Sequence, residues 1–384
     1  MGTEPCLIVA TSARALVRAA RRARLAAVAV DAFADADTRR TARHCVRVPL
    51  APDGGFAPLA LAAALERLPP ARLVPGSGFE AQPALLAQAA TRHRLCGNDP
   101  AVWELACDPR RFFALLDALG IDHPEISFDP PAAASGWLAK RAGAAGGWHV
   151  RCAGAARAEA ARYFQRHVQG PAYSFLFLAD GARVRAIGFN RLLPAPRAAP
   201  GPWAWSGAVQ ALPPPAARAQ AQAAAAALTA RLGLRGLNGL DFIAAAAGFR
   251  LLELNPRPTA TLELWDRPPA PPLLRAHLQA CAGRLPPAWS EPSGVRALAV
   301  VYAERALRVP RDFAWPRQAR DVPSAGTRVG ARRPLCTVHA TARTAPGAVA
   351  RVRRARLRLL AALARLGHEP RPRLRAGAVA RVPA

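Results

Sequence analysis

The sequence predicts an α/β chain, α+β overall, with an N-terminal parallel-sheet domain, a larger mixed module and a small C-terminal β-rich module with a closing helix. Three observations carry that expectation. Residues 6–10 (CLIVA), 12–24 and 27–31 (AVAVD) read strand, helix, strand, the opening of a parallel sheet with covering helices. Later, two hairpins at 171–189 and 239–255 break that rhythm and require antiparallel pairing. Finally, 384 residues with 52% hydrophobic and 20% charged side chains suffice for two or three cored domains and exclude a disordered chain.

After the β-α-β opening, residues 71–90 (ARLVPGSGFEAQPALLAQAA) read as a third strand, a glycine loop and a helix. Gly76-Ser77-Gly78-Phe79-Glu80-Ala81 matches G-x-G-x-x-A, but Pro75 interrupts the preceding strand. We read a tight loop at the C-terminal edge of the sheet, where ligands of α/β folds sit. Asp31 stands where a dinucleotide ribose ligand would, yet the first turn (ATSAR) has no glycine to admit a pyrophosphate. From Asn98 one or two helices run to Gly120, followed by the strand GWLAKR, a glycine-rich turn and a return strand WHVRC. Asp180-Gly181 is a two-residue turn signal for the first hairpin. Residues 192–217, rich in proline and tryptophan, read as a long loop, and 216–232 as a helix. Prolines at 268–289 mark a boundary before the strands RALAVVYAER and TRVGARRPLCTVHA. The domains are accordingly 1–98, 99–285, 286–345 and an arginine-rich helix and tail at 346–384, the helix carrying a Leu357, Leu360, Leu363 stripe.

Composition excludes several classes. No 18-residue stretch is free of charge, so no membrane span is expected. An acid precedes the first apolar run and basic residues follow it, the wrong order for a secretory signal. Seven scattered cysteines without a C-x-x-C pair argue against a disulfide framework or zinc site and for a reducing cytoplasm. The formal charge of +28 suits nucleic-acid binding, a reading that the clustered C-terminal arginines keep open. Dispersion of the other arginines, without interleaved aromatics, favours a solvated basic surface instead.

The same arginine bias makes Lys140 informative, because it is one lysine among 53 basic residues. Arginine replaces lysine where generic charge suffices, but not where a compact, flexible ammonium is needed. Lys140 ends the strand WLAK and is followed by Gly143, Gly146 and Gly147, a loop whose amides can approach phosphate. A plain hairpin turn explains the glycines equally well. In GLDFIAAAAGFRLLELNPRP, a three-residue loop Ala246-Ala247-Gly248 would set Asp241 opposite Glu253, with Asn255 on the same face. Leu240, Phe242, Leu252 and Leu254 would form the buried face. Opposed carboxylates are destabilising unless a cation separates them. Two carboxylates and an amide oxygen suit Mg²⁺ or Mn²⁺ shared with phosphate oxygens. The plainer alternative is a solvated face whose acids pair with arginines.

This succession, a strand with lysine and a glycine loop, a hinge, then D…E-x-N-P-R, resembles the ATP-grasp superfamily over nearly the whole chain. The stretches DAFADADTR, GSGFE, SFLFLADG, LLELNPRPTATLELWD and DVPSAGTRVGARRPLCTVHA look nearest to carboligases related to tyramine–glutamate ligase, linked to methanofuran and tetrahydromethanopterin cofactors. The resemblance implies a pre-ATP-grasp substrate domain over 1–98 and a two-lobed ATP-grasp module over 99–285. Lys140 would bind ATP phosphates, with Gly143, Gly146 and Gly147 as a lid. Gln165, Arg166, His167 and Val168 would be the adenine hinge. Asp241, Glu253 and Asn255 fall on the metal positions, Arg257 on the arginine that steadies the transferred phosphoryl group, and Thr259 and Thr261 near substrate. Many relatives carry a second ATP lysine where this chain has Cys107, Asp108, Pro109, Arg110 and Arg111.

The expectation is an ATP- and Mg²⁺-dependent carboxylate–amine ligase acting through an acyl phosphate, in cofactor biosynthesis. Its partners would be a small carboxylate, glutamate by resemblance, and an amine, with a homodimer as the guessed assembly. GSGFE, residues 31–39 and the loop 190–210 would build the substrate pocket. Carboxylation with bicarbonate, and a catalytically silent ATP-binding protein, are the alternatives within the family.

Overall fold

The computed structural model describes residues 4–51, 54–155, 162–245, 248–287, 289 and 293–366; the arginine-rich tail beyond 366 and Ala246-Ala247 lie outside them. The N-terminal domain holds β1 (Cys6–Ala10), α1 (Arg14–Arg22), β2 (Ala27–Asp31), α2 (Ala36–Thr41) and β3 (His44–Arg47). It continues with α3 (Pro58–Arg67), β4 (Arg72–Pro75), α4 (Pro83–Arg92) and β5 (Arg94–Leu95). The strands form a parallel sheet ordered β3-β2-β1-β4-β5. β1 is apolar throughout because both its faces are covered. Leu7 and Val9 enter one core with Leu61, Phe79 and Trp103, while Ile8 and Ala10 enter another with Leu16 and Val17. Asp31 accepts the amides of Ala13, Phe33 and Ala34, closing the turn after β2.

Two short helices follow, α5 (Pro100–Cys107) and α6 (Pro109–Ala118). Each begins Asp-Pro: Asp99 and Asp108 cap them by accepting amides two or three residues on, and the prolines occupy the first helical positions. A small antiparallel sheet then runs in the order β6 (Ile126–Ser127), β9 (Arg162–Arg166), β7 (Trp137–Arg141), β8 (Arg151–Cys152). The return strand expected over WHVRC is only the two residues of β8.

The central sheet has eight strands. Its core is β10 (Ala172–Asp180), β11 (Val184–Leu192), β13 (Arg235–Ala245) and β14 (Gly248–Asn255), with α7 (Pro215–Leu232) across it. Alternation along β10 decides its packing: Phe175 and Phe177 meet α6 and α7 residues, while Leu176 and Leu178 face the N-terminal domain and α9 (Leu273–Cys281). The β10–β11 turn is longer than the two-residue signal implied. Asp180 accepts the amides of Ala182 and Arg183, so four residues make the turn.

The region expected as a loop contains β12 (Gly207–Gln210), a four-residue strand buried throughout. It pairs with β11 on one side and β15 (Val295–Tyr302) on the other. Consequently β15, β19 (Pro334–Ala342) and β17 (Ala319–Arg320) extend the central sheet, where the sequence suggested a separate module after residue 285. β16 (Leu307–Arg308) and β18 (Arg328–Val329) form an outlying ribbon. α8 (Leu262–Trp265) follows the β14 loop, and α10 (Ala345–Leu366) closes the C-terminal part. Its buried stripe is Ala348, Val352, Leu359 and Leu363; Leu357, assigned to that stripe from spacing, is 61% exposed. No helix among the described residues is long and apolar enough to cross a membrane.

His277 and Asn98 stitch the N-terminal domain to the central sheet. His277 Nδ1 accepts the Leu237 amide at 2.9 Å, and Nε2 lies 3.0 Å from the Cys96 carbonyl. Gly236, at φ +69°, passes so close beneath the ring that a Cβ would stand 2.5 Å from it. Asn98 donates to Asn238 and to the Pro256 carbonyl and accepts the Arg235 amide.

Burial holds His277 neutral, with a pKa pushed down to about 4 from 6.5. The unfolded chain takes up this proton first as pH falls below 6.5. Stability present above that value is therefore lost between pH 6.5 and 4, on the order of 2 kcal/mol for His277 by pH 5. Urea midpoints should fall from pH 7.5 to 5, and less steeply in His277→Gln. An equally steep fall in that variant assigns the acid lability elsewhere.

Candidate nucleotide and metal site

The two acids singled out from the hairpin lie face to face. Asp241 on β13 is paired in register with Glu253 on β14, and Asn255 stands two residues on, opposite Gly239. The route to that register differs from the one expected. Ala245 pairs with Gly248, so Gly248 belongs to β14 and not to the expected loop, whose other two residues, Ala246 and Ala247, lie outside the described residues. A bulge between Phe242 and Asp241 restores the alignment, with Leu252 as the extra residue. The buried face is therefore Leu240, Phe242, Leu251 and Leu254, with Leu251 rather than Leu252 fully enclosed.

Asn255 Nδ2 donates to Glu253 Oε1 at 3.2 Å and approaches Asp241 Oδ2 at 3.5 Å. Asp241 is half-buried. Its surroundings, and then the Glu253 carboxylate opposite, push its pKa well above the ordinary carboxylate range, while Ser174 on β10 donates to it and pulls the other way. Ser174 carried no sequence signal; the β10–β13 register alone brings it opposite Asp241.

Lys140, one residue before the end of β7, pairs across from Tyr163 on β9. It is half-buried and forms no ion pair among the described residues. Burial lowers its pKa, and the fields of Glu253 and Asp241 raise it, so it lies close enough to both acids to feel them. The small sheet thus brings an uncommitted ammonium to the acids of the central sheet. His149, beyond the glycine turn, is depressed to about 4 by burial and then by Arg141 and Lys140.

Gly143, Gly146 and Gly147 all have positive φ, between +66° and +76°. Gly143 lies on Glu80 and Ala81 of the GSGFE loop, where a Cβ would come within 2.8 Å of backbone. Gly147 packs on the Trp203 carbonyl, and the Gly146 carbonyl accepts the Trp205 amide at 2.9 Å. The glycine turn is closed down between the N-terminal domain and the 203–205 segment.

Gln165 and Arg166 end β9, while His167 and Val168 lead into β10. The Arg166 and His167 amides are committed to the Glu125 and Gly136 carbonyls. Val168 takes no hydrogen bond among the described residues. The Gln165 side chain is buried, and its Nε2 has no partner among the described residues. A buried amide without an acceptor is costly unless a ligand completes it.

Arg257 is not free. Its Nε donates to Glu80 Oε1 at 2.7 Å, and its Nη2 lies 2.6 Å from the same oxygen. Glu80 in turn takes the Gly78 amide. The GSGFE loop was expected in a substrate pocket without a role for Glu80; the structure makes it the partner that holds Arg257. Thr259 and Thr261, both buried, share a hydrogen bond of 2.8 Å. Arg110 and Arg111 are exposed on α6, with Arg110 stacked over Phe128 at 3.9 Å. Cys107 lies nearer the acids: burial, with Glu80 and Glu253 adding, pushes its thiol to about 12. Among the described residues, no three His, Cys, Asp or Glu side chains converge on a metal position, so a cation here would rest on two acids and an amide.

Residues 107–261 match the family described as an ATP-grasp domain. No curated protein matches the chain. The biotin carboxylase–β,γ-ATP complex from Campylobacter jejuni superposes with a TM-score of 0.69 at 15% identity, covering 91% of this chain and 90% of that one. The biotin carboxylase domain dimer of Hydrogenobacter thermophilus 2-oxoglutarate carboxylase, with MgADP, ADP and bicarbonate, gives 0.69 at 15% identity over 92% and 90%. The biotin carboxylase domain of a single-chain bacterial carboxylase gives 0.66 at 22% identity over 90% and 87%. The chain therefore carries an ATP-grasp domain, within the fold shared by the biotin carboxylases.

Proposed function

We propose that the protein is an ATP-dependent ligase that joins a carboxylate to an amine through an acyl phosphate. The observation that carries this reading is an uncommitted Lys140 beside the opposed Asp241 and Glu253. Opposed carboxylates call for a cation, and an unpaired buried-side ammonium calls for an anion. Nucleotide phosphates with a divalent metal satisfy both. Asp241, Glu253 and the amide oxygen of Asn255 are hard donors suited to Mg²⁺ or Mn²⁺. Such an ion, when bound, would neutralise phosphate charge and polarise the phosphoryl group.

The chain's own residues have separate tasks. Lys140 would hold phosphate oxygens as a point charge. The positive-φ glycines bring backbone amides close without side-chain obstruction. Gln165 and the Val168 amide offer unpaired hydrogen-bonding groups for the base. Arg257, held by Glu80, would face the charge that develops as the carboxylate attacks the γ-phosphorus and ADP departs. The amine nitrogen then attacks the acyl carbon, the C–O bond to the bridging oxygen breaks, phosphate leaves carrying that oxygen of the former carboxylate, and the nitrogen loses its extra proton. Water must be kept from the acyl phosphate, and the closed glycine turn serves that end. Exposed Arg110 and Arg111 take no part in this scheme.

Within this reading, glutamate is the first carboxylate to test, methanofuran-type cofactor synthesis the pathway to test, and a homodimer the working assembly. The carboxylase fold supports a second reading, carboxylation with bicarbonate. ADP release that depends on an added amine favours the ligase, and release that depends on bicarbonate favours the carboxylase.

ATP with Mg²⁺ should raise the melting temperature of the parent protein by several degrees, and Lys140→Ala should abolish the shift. A full shift in that variant removes Lys140 from the nucleotide site. Without metal, Asp241→Asn relieves a like-charge pair worth roughly 0.2–1 kcal/mol. In EDTA it should melt higher than the parent by up to about 1 °C, while losing the magnesium effect. Turnover in Glu253→Ala should drop by at least about a hundredfold at ordinary magnesium; near-normal turnover sinks the metal assignment.

A further inference from the structure

The facing acids end a polar row that crosses the central sheet. Strand register sets Glu253, Asp241, Ser174, Asn190 and Gln210 opposite one another on β14, β13, β10, β11 and β12 in turn. Direct partners point to the same side of a sheet, so five polar side chains share one face. The neighbouring row on that face contains Gly239 and Gly188. Their missing side chains let two others lie flat on the strands. A Cβ at 239 would stand 2.7 Å from Thr259, and one at 188 would stand 2.1 Å from the Trp265 ring. Trp265 is thereby held against the polar row.

The inner members of the row, Ser174, Asn190 and Gln210, are buried, and two of them have a complete set of partners only in part. Gln210 is bound at both ends: Nε2 donates to the Leu264 carbonyl at 3.1 Å, and Oε1 accepts the Arg296 amide at 2.8 Å. Asn190 is bound at one end. Trp265 Nε1 donates to its Oδ1 at 2.9 Å. An indole N–H can only donate, so this bond fixes which end of the amide is the oxygen. Asn190 Nδ2 then has no partner among the described residues, on a side chain that is fully buried. A buried donor without an acceptor is destabilising, and solvent does not reach this one.

Ser174 is the acceptor that the row offers. It stands directly across from Asn190, and direct partners hold their Cβ atoms about 4.5–5.5 Å apart. Its proton goes to Asp241 on the other side, which leaves the lone pairs of the hydroxyl for a donor from Asn190. The polarity then runs one way: Trp265 donates to Asn190, Asn190 to Ser174, and Ser174 to Asp241. Every donor points along the row toward the acids. Such outer partners set the orientation of a metal-ligating carboxylate, and a carboxylate fixed in place loses less freedom when a cation arrives.

We propose that Asn190 is a positioning residue for the cation site: its amide turns to Ser174, and Ser174 thereby holds the Asp241 carboxylate in the orientation that receives Mg²⁺. This deepens the ligase reading and rests on its metal and nucleotide site. Asn190 itself touches neither cation nor nucleotide; it acts through Ser174. Trp265 has a part in the same chain, because its indole decides which way the Asn190 amide faces.

The test uses the full chain with ATP held constant and reads the Mg²⁺ concentration that gives half of the thermal shift. Melting in EDTA without ATP reads folding separately. Ser174→Ala should raise that concentration by about 10–100-fold, and Ser174→Thr, which keeps the hydroxyl, should bring it back near the parent value. Asn190→Leu, close in volume but without the amide, should raise it by at least about threefold. Asn190→Ala, which cannot overpack the site, serves if Asn190→Leu fails to fold. The double variant of Ser174→Ala with either change at Asn190 should be no weaker than Ser174→Ala alone, since one residue acts through the other. A parent value in folded Ser174→Ala or in a folded Asn190 variant overturns the proposal, and so do effects that multiply in the double variant. Those results, with a magnesium-dependent shift in the parent, defeat this inference alone. A parent that shows no such shift defeats the metal and nucleotide site and this inference with it.

Discussion

Two like charges facing each other across a β-ladder are the constraint on which the rest of this molecule depends. Asp241 and Glu253 are paired by strand register, so neither can swing away without breaking the sheet. Their opposite faces are locked by Leu240, Phe242, Leu251 and Leu254, all buried. A slip of one residue would carry the acids inside and the apolar side chains out. The hydrophobic core thereby holds the two facing acids in register.

Other parts of the fold bring compensating groups to that pair. The small four-stranded sheet delivers Lys140, and the glycine turn after it packs against the N-terminal domain. Arg257 follows the end of β14, the strand that carries Glu253, and is held by Glu80 from the N-terminal domain. Asn98 binds the Pro256 carbonyl just before Arg257, and His277 ties the same seam through Leu237 and Cys96. Such interdomain bonds keep charged groups at fixed separation, which is what electrostatic preorganisation requires. Arg14, shared by Glu263 and Asp321, performs the same service where the C-terminal strands join.

Positive charge on this protein has two meanings. Most arginines lie dispersed on a solvated surface, where an individual ion pair contributes little. A few buried ones, Arg14 and Arg257 above all, connect modules and carry bidentate or shared contacts to carboxylates. Net charge alone does not separate these roles; burial does.

Much of the fold was legible along the chain, because patterns of local period report local structure. The β-α-β opening, the helices between Asn98 and Gly120 and the hairpin acids follow from short-range rules of period, pleat and turn. Facing of Asp241 and Glu253 was readable from side-chain alternation, although pairing that begins at Gly248 and a bulge at Leu252 produce it. What tertiary structure alone decided involves partners far apart in sequence. β12 is four residues among prolines, too short to show a period, yet it merges the C-terminal strands into the central sheet. Ser174 beside Asp241 and Glu80 on Arg257 likewise depend on strands and loops far apart in the sequence. Sequence specifies the faces of each element; long-range packing specifies which faces meet, and with them which charges are paired and which are left for a ligand.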